Sequence, residues 1–321
     1  MLLLFELSGE HATMPVSELR GIMEAEKIES NEIYHNSRMA IFEAEEKVER
    51  IAKRVAMTHS INEVIAAGSK KEIEDAIKDI GMEGSFKIEV LNFDKKIDSK
   101  KLKNEMGEKI LKATGCKVNV KNPDNLIKIY SYKKLYLIRE LFKIDRYQFE
   151  KRKKKPFELP ITLHPRLARA MVNIARIKKS SIVVDPFCGT GTILIEAGLI
   201  GASVLGIEAK KWIAHGCKNN MKHFGIDARI YNKDMRNVDL KADAIVTDFP
   251  YGRSSYVGEE IKKLYREAFK KFDEWLSHGH IMAGIANRQL ICTGKEFFDL
   301  IEIHPYRVHK SLTRFFCLFK K

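Results

Sequence analysis

Residues 181–192 read SIVVDPFCGTGT: an unbroken apolar run ending on Asp185, a loop carrying Gly189 and Gly191, and a new apolar stretch opening near Thr192. A short apolar run without alternation is the mark of a strand covered on both faces, as in a parallel sheet. Glycines directly after it let the backbone come close to a ligand at the strand's carboxyl end, where doubly wound sheets bind ligands. Working outward, HPRLARAMVNIARI (164–177) opens a helix at Pro165, VLGIE ends on Glu208, ARIYNKDM carries Asp234, and ADAIVTDFPYG runs through Asp248. Apolar strands alternating with helices predict an α/β, doubly wound, mostly parallel sheet over 161–321.

The glycine loop discriminates among ligands. A nucleotide-triphosphate loop needs a lysine directly after its second glycine, but Gly191 is followed by Thr192 and Ile193. A dinucleotide loop wants GxGxxG, whereas residues 189–194 read GTGTIL. The remaining class is S-adenosylmethionine, whose methionine carboxylate and ribose suit a shorter loop. Glu208, 23 residues after Asp185, is placed to accept ribose hydroxyls. Asp234 can accept from an adenine amine, and Met235 can pack on the purine. Each acid alone fits a helix cap or turn equally well, but together they sit at three successive strand ends.

Composition bounds the rest. The 321 residues carry a net charge of +14, which points to a polyanionic partner. Residues 1–93 hold 11 basic against 18 acidic side chains, 94–155 hold 20 against 8, and 156–321 hold 26 against 17, so the positive charge begins after residue 93. Five cysteines without a CxxC pair argue against a disulfide framework or a structural zinc, and His278 and His280 have no further ligands grouped with them, so no metal is expected. No run approaches the ~18 apolar residues of a membrane span, and MLLLFELSGE reads as a first strand rather than a signal peptide. A cytoplasmic protein with no membrane contact is expected, and a monomer.

The front of the chain, LLLFEL, VSELRGIMEAEKI, NEIYHN, SRMAIFEAE, KVERIAKRVA and INEVIAAG, predicts strand, helix, strand, strand, helix, strand: the ferredoxin-like order, over 1–68. A second α+β domain is expected over 69–150. Its lysine-rich helix from Ser99 to Thr114 includes Lys101, Lys109 and Lys112 as candidate RNA contacts. KRKKKPFELP (151–160) reads as a basic linker, with Lys151, Arg152, Lys153, Lys154 and Lys155 free to track phosphate.

DPFCGTGTILIEA, GIEAKKWIAHGCKNN, KDM and DFPYG, in that order, resemble the motifs of class I S-adenosylmethionine-dependent amino-methyltransferases. HPRLARAMVNIA upstream, VHKSLTR (308–314) at the end and FKIEV…KNPDNLIKIY in the front half resemble a narrower family, the archaeal tRNA guanine-N2-methyltransferases acting at position 10. That resemblance implies a Rossmann-like methyltransferase domain behind a ferredoxin-like and THUMP RNA-binding region, with tRNA as partner. It implies a cofactor site at Asp185, Pro186, Phe187, Gly189, Gly191, Thr192, Glu208, Asp234, Met235 and Asp248. It also implies a catalytic loop at Asp248, Phe249, Pro250 and Tyr251, extended by Arg253, Ser254 and Ser255, with Arg253 a candidate RNA contact. His309, Lys310, Ser311 and Arg314 match the closing motif, either touching RNA or completing the last strands. The pattern has proline where this chain has Phe249. Other expectations in play are guanine-N2 transfer at another tRNA position or on rRNA, adenine-N6 or protein-glutamine transfer, which favour Asn at position 248, and a non-catalytic RNA-binding protein.

Overall fold

The computed structural model describes residues 1–93, 95–160, 162–250, 259–309 and 312–321. The chain forms two compact units, one of residues 1–8, 29–52 and 58–144, the other of residues 9–28, 53–57 and 145–321.

The front elements are β1 (Leu2–Leu7), α1 (Met14–Ala25), β2 (Ser30–His35), β3 (Met39–Ala44), α2 (Val48–Ala52) and β4 (Thr58–Gly68), followed by α3 (Lys70–Lys78), β5 (Ser85–Asn92), α4 (Ser99–Thr114), β6 (Lys117–Val118), β7 (Asn125–Tyr132) and β8 (Lys134–Lys143). The first six realise the expected βαββαβ order, and their strands pair as β2-β3-β1-β4. The sheet does not stop at residue 68. β4 pairs antiparallel with β8 from Ser60↔Lys143 to Gly68↔Leu135, giving one eight-stranded sheet ordered β2-β3-β1-β4-β8-β7-β5-β6. Buried Lys128 of β7 pairs with Glu140 of β8 and with Glu6 of β1. An uncompensated charge there would be costly, so the ion pairs tie together the segments expected as separate domains, 1–68 and 69–150. On the other half of the sheet, Ile73 and Ile77 of α3 and Leu102, Met106 and Ile110 of α4 pack on Phe86, Ile127 and Leu137.

The second unit contains α5 (Tyr147–Lys153), α6 (Pro165–Ile174), β9 (Ile182–Asp185), α7 (Thr192–Gly198), β10 (Ser203–Ile207), α8 (Lys211–His223), β11 (Ala228–Tyr231), β12 (Ala242–Asp248), α9 (Glu259–Trp275), β13 (Leu276–Ile285), α10 (Ile291–Lys295), β14 (Asp299–His309) and β15 (Leu312–Lys320). Its sheet runs β11-β10-β9-β12-β13-β15-β14, parallel except where β15 enters antiparallel to β13 and β14. Strand order reverses between β9, flanked by β10, and β12, so both of these strands end at a topological switch point.

Helix α1 belongs to this second unit, not to the front domain where the sequence order places it. Glu18 of α1 is fully buried and accepts from the Ala56 and Met57 amides at 2.9 and 2.8 Å and from Asn173 of α6 at 2.8 Å. Arg54 donates to Asn173 Oδ1 and to the Ile177 carbonyl. These bonds draw 53–57 away, so the helix expected through KVERIAKRVA ends at Ala52. The expected linker 151–160 also differs. Its first three residues close α5, and the remainder is fastened to the second unit by side chains described below.

Candidate active site

Strand β9 delivers Asp185 to the floor of a cavity of about 770 Å³ at the carboxyl ends of the parallel strands. The carboxyl group is 1% exposed and accepts from Thr247 Oγ1 at 2.7 Å and from the Phe187 amide at 3.1 Å. Burial, with Asp248 and Glu208 nearby, raises its pKa to about 7 despite those two bonds. Thr247 lies one residue before Asp248 on β12, so one strand both fastens Asp185 and presents the next acid.

The loop after Asp185 turns at Gly189 and caps α7 with Gly191, whose φ of 84° lies in the left-handed region. A Cβ on Gly191 would also approach Met221 Cε to 2.5 Å and Cys217 Sγ to 2.7 Å, so the conformation favours glycine and a larger residue would push both side chains aside. Pro186, Phe187, Gly189 and Thr192 line the cavity, whereas Gly191 shapes the loop behind it. Glu208 follows β10 and lines the wall, one carboxylate oxygen receiving the Lys210 amide at 2.9 Å. Asp234 and the buried Met235 are there too. Arg236 clamps Asp234 through its amide, Nε and Nη2 at 2.9, 2.8 and 2.6 Å, and this bonding lowers the Asp234 pKa. Arg236 is half exposed and also bonds Glu267 at 3.1 Å, so Asp234 sits in a small surface network beside the cavity.

At the end of β12, Asp248, Phe249 and Pro250 reach the same cavity. Arg314 of β15 places Nη1 3.1 Å from Asp248 Oδ2, and both side chains are largely buried. On the other side, a Cβ added to Gly284 would sit 2.3 Å from Asp248 Oδ1. The carboxylate is thus wedged between a guanidinium and a bare backbone. Phe249 is fully buried: its ring stacks on Tyr265 at 4.0 Å and 17°, and its amide donates to the Gly284 carbonyl at 2.9 Å. Proline could offer neither the ring nor the N–H. The departure at this position is therefore matched by an aromatic cluster that also holds Phe187, Phe269 and Phe272.

A further stretch of wall comes from the end of the segment expected to be a linker, 151–160, and from the residues just after it. Leu159, Thr162 and Leu163 line the cavity. Buried Asn220 of α8 accepts from the Phe157 amide at 2.9 Å and donates to the Phe157 and Thr190 carbonyls, each at 2.8 Å. The Phe157 ring lies edge-on to Trp212 at 5.8 Å and covers Gly216. Arg152 bonds the fully buried Glu196 at 2.7 Å. Lys155 donates to Thr192 Oγ1 at 2.6 Å, and burial lowers its pKa to about 8. These two basic residues are used inside the protein, whereas Lys151, Lys153 and Lys154 are exposed.

Lys101, Lys109 and Lys112 are exposed on α4 in the first unit, Lys109 pairing with Glu74 at 3.4 Å. Tyr251, Arg253, Ser254, Ser255, Lys310 and Ser311 lie outside the described residues. Among the described residues, no group of three or more His, Cys, Asp or Glu could hold a metal ion, and no helix is long and apolar enough to cross a membrane. Sequence reading missed Thr247, Gly284, Asn220 and the Arg314 pairing. Their only sequence signals are a polar residue in an apolar strand and a basic one before FFCLF.

Strand order, glycine loop and acids at the strand ends define a class I Rossmann-like methyltransferase fold. Residues 152–315 match the pattern of an RMKL-like methyltransferase domain, and residues 23–218 match that of a DNA methylase. The chain is 35% identical over 322 residues, 96% of each chain, to the tRNA (guanine(10)-N2)-dimethyltransferase of Methanothermobacter thermautotrophicus. It is 30% identical to its namesake in Methanocaldococcus jannaschii, over 99% of each chain. TrmN from Thermus thermophilus shares the fold over the whole of both chains, with a TM-score of 0.60 at 19% identity. The chain belongs to the tRNA (guanine(10)-N2)-dimethyltransferase family.

Proposed function

We propose that the protein transfers methyl groups from S-adenosylmethionine to the exocyclic N2 amine of a guanosine in tRNA, at position 10, giving the N2-methyl and then the N2,N2-dimethyl nucleoside. The observation that carries this reading is Asp248, held by Arg314 and Gly284 at the rim of the cavity that Asp185, Glu208 and Met235 line.

The cavity fits the cofactor on its own terms. Its volume is within the range of small-molecule sites, its acids suit hydroxyl and amine donors rather than phosphate, and Met235 and Ile207 offer an apolar wall. Glu208 would hold the ribose, Asp234 the adenine amine, and the 187–192 loop the amino-acid end. The cofactor supplies an electrophilic sulfonium methyl group. The acceptor is a poor nucleophile, because its lone pair is delocalised into the base, so positioning dominates. In the first transfer Asp248 accepts one N–H of the amine and takes the proton released as the N–C bond forms, while the Phe249 carbonyl accepts the other N–H; in the second transfer the one remaining N–H is directed to Asp248. Arg314 is a positioning residue that holds the carboxylate towards the acceptor. A guanine inside a stem must leave its stack to arrive there. Exposed basic residues of 94–155 (Lys101, Lys112, Lys151, Lys153, Lys154) bind tRNA by phosphate and shape, as a THUMP-containing front half would.

Incubation with labelled cofactor and unmodified tRNA transcripts, followed by nucleoside mapping, should give label in N2-methylated guanosine at position 10. Label confined to DNA, protein or adenosine overturns the reading. Asp248→Ala should abolish transfer with cofactor affinity nearly unchanged, while joint loss of both makes Asp248 structural.

A further inference from the structure

The eight-stranded sheet of the first unit carries a second recess, of about 450 Å³, far in composition from the cofactor cavity. Its rim holds Tyr34 of β2, Tyr132 of β7, Tyr136 of β8, and Lys133 and Lys134 at the β7–β8 turn, above an aliphatic floor that includes Ile41. Lys133 Nζ lies 5.8 Å from the Tyr34 ring centroid and 5.7 Å from that of Tyr132, and Lys134 Nζ lies 5.2 Å from that of Tyr136. Tyr34 and Tyr132 are 6.2 Å apart and tilted by 41°, so they do not close on each other as a stack.

Three further observations bear on the ligand. Among the described residues the lining of the recess has two ammonium groups and no carboxylate, although residues 1–93 are net acidic. The nearby Glu72, held in the capping box of its own helix, stays charged and acts on Lys134, so the two ammonium groups outnumber the one carboxylate beside them. Lys133 forms the turn between the paired residues Tyr132 and Lys134 at a φ of 60°, a conformation that glycine or asparagine takes at less cost. The Tyr34 phenol also titrates below its usual value: burial opposes this, but bonds from Tyr132 and Asn36 and the Lys133 charge outweigh it. The potential in the recess is therefore positive, and its flat surfaces are aromatic. Aromatic faces beside mobile cations hold unpaired nucleotides, because every base has a π face and every linkage a negative charge.

We propose that this recess is an RNA subsite, taking an unpaired nucleobase of the substrate against the tyrosine rings while Lys133 and Lys134 hold the adjacent phosphates. The inference rests on RNA being the substrate, and adds a contact on the first unit distinct from the basic residues of 94–155 named above.

The test uses the full chain and unmodified tRNA transcripts. Tyr34→Ala with Tyr132→Ala should raise the tRNA dissociation constant and KM by roughly 5- to 100-fold, and the paired Phe substitutions, which keep the rings, should restore most of the affinity. Lys133→Gly with Lys134→Ser, confined to exposed turn side chains, should flatten the plot of log affinity against log salt by roughly 1.5. Calorimetric binding of S-adenosylmethionine checks that the second unit is intact. If the alanine pair melts early, the lysine pair decides alone. Wild-type binding with unaltered affinity and slope in the variants overturns this inference while sparing the functional reading. Failure of the wild-type chain to bind tRNA overturns both, and a loss seen only with a protein partner assigns the recess to that partner instead.

Discussion

At the scale of single residues, the site depends on groups held in unusual states. Asp185 titrates near 7 in the folded protein, raised by burial from 3.8. Between these values the folded chain binds more protons than the unfolded one, so stability without ligand falls as pH rises from about 4 to 7. The ceiling of that loss is roughly 4 kcal/mol. Urea titrations read by Trp212 and Trp275, both in the second unit, should show the slope, and Asp185→Asn should remove it. A flat wild-type profile would mean that Asp185 stays ionised. Arg314 affords a second test. Arg314→Gln should lower kcat by roughly 10- to 100-fold, because a carboxylate about 1 Å out of place costs that much, with Arg314→Lys between it and wild type. Equal kcat in all three makes the ion pair incidental.

At the scale of elements, β12 and the segment after α5 each join parts that the sequence keeps apart. β12 and the residue after it carry Thr247, Asp248 and Phe249 to three different partners: Asp185, Arg314 and the Gly284 carbonyl. Restoring the proline of the family pattern, Phe249→Pro, should destabilise the second unit by roughly 3–5 kcal/mol, since it removes a buried ring and a hydrogen bond at once. A neutral result in denaturant would show that the aromatic cluster repacks. Asn220 holds the backbone of Phe157 through both its amide and its carbonyl. Asn220→Ala strands buried backbone groups of Phe157 and Thr190, at about 1–3 kcal/mol apiece. It should therefore both destabilise the unit and weaken cofactor binding measured by calorimetry. Unchanged binding would mean that Leu159, Thr162 and Leu163 form a wall without holding ligand.

At the scale of the whole molecule, charge divides by place rather than by type. In KRKKK, Arg152 and Lys155 are internal and the other three are exposed. Replacing Lys151, Lys153 and Lys154 by serine should flatten the salt dependence of tRNA affinity by roughly 2–3 and leave thermal stability alone. Replacing Arg152 should do the reverse, because Glu196 would be left as a buried charge without one of its partners. Measuring both quantities on both variants separates the two roles, and identical behaviour would refute the division.

The sequence by itself determined the class of fold, the ferredoxin-like strand order and the acids that stand at the strand ends around one cavity. Each of these is a local pattern: apolar runs ending in an acid, a glycine pair at a required left-handed turn, and hydrophobic periods that switch between strand and helix. Only the tertiary structure decided that α1 and residues 53–57 join the second unit, that the two front segments share one sheet, and that the basic run turns Arg152 and Lys155 inward onto Glu196 and Thr192. The same is true of Phe249 and Arg314. Their roles come from pairings with Gly284, Tyr265 and Asp248, from 16 to 66 positions away in the chain. Such contacts are set by packing, and packing leaves no periodic trace in the sequence.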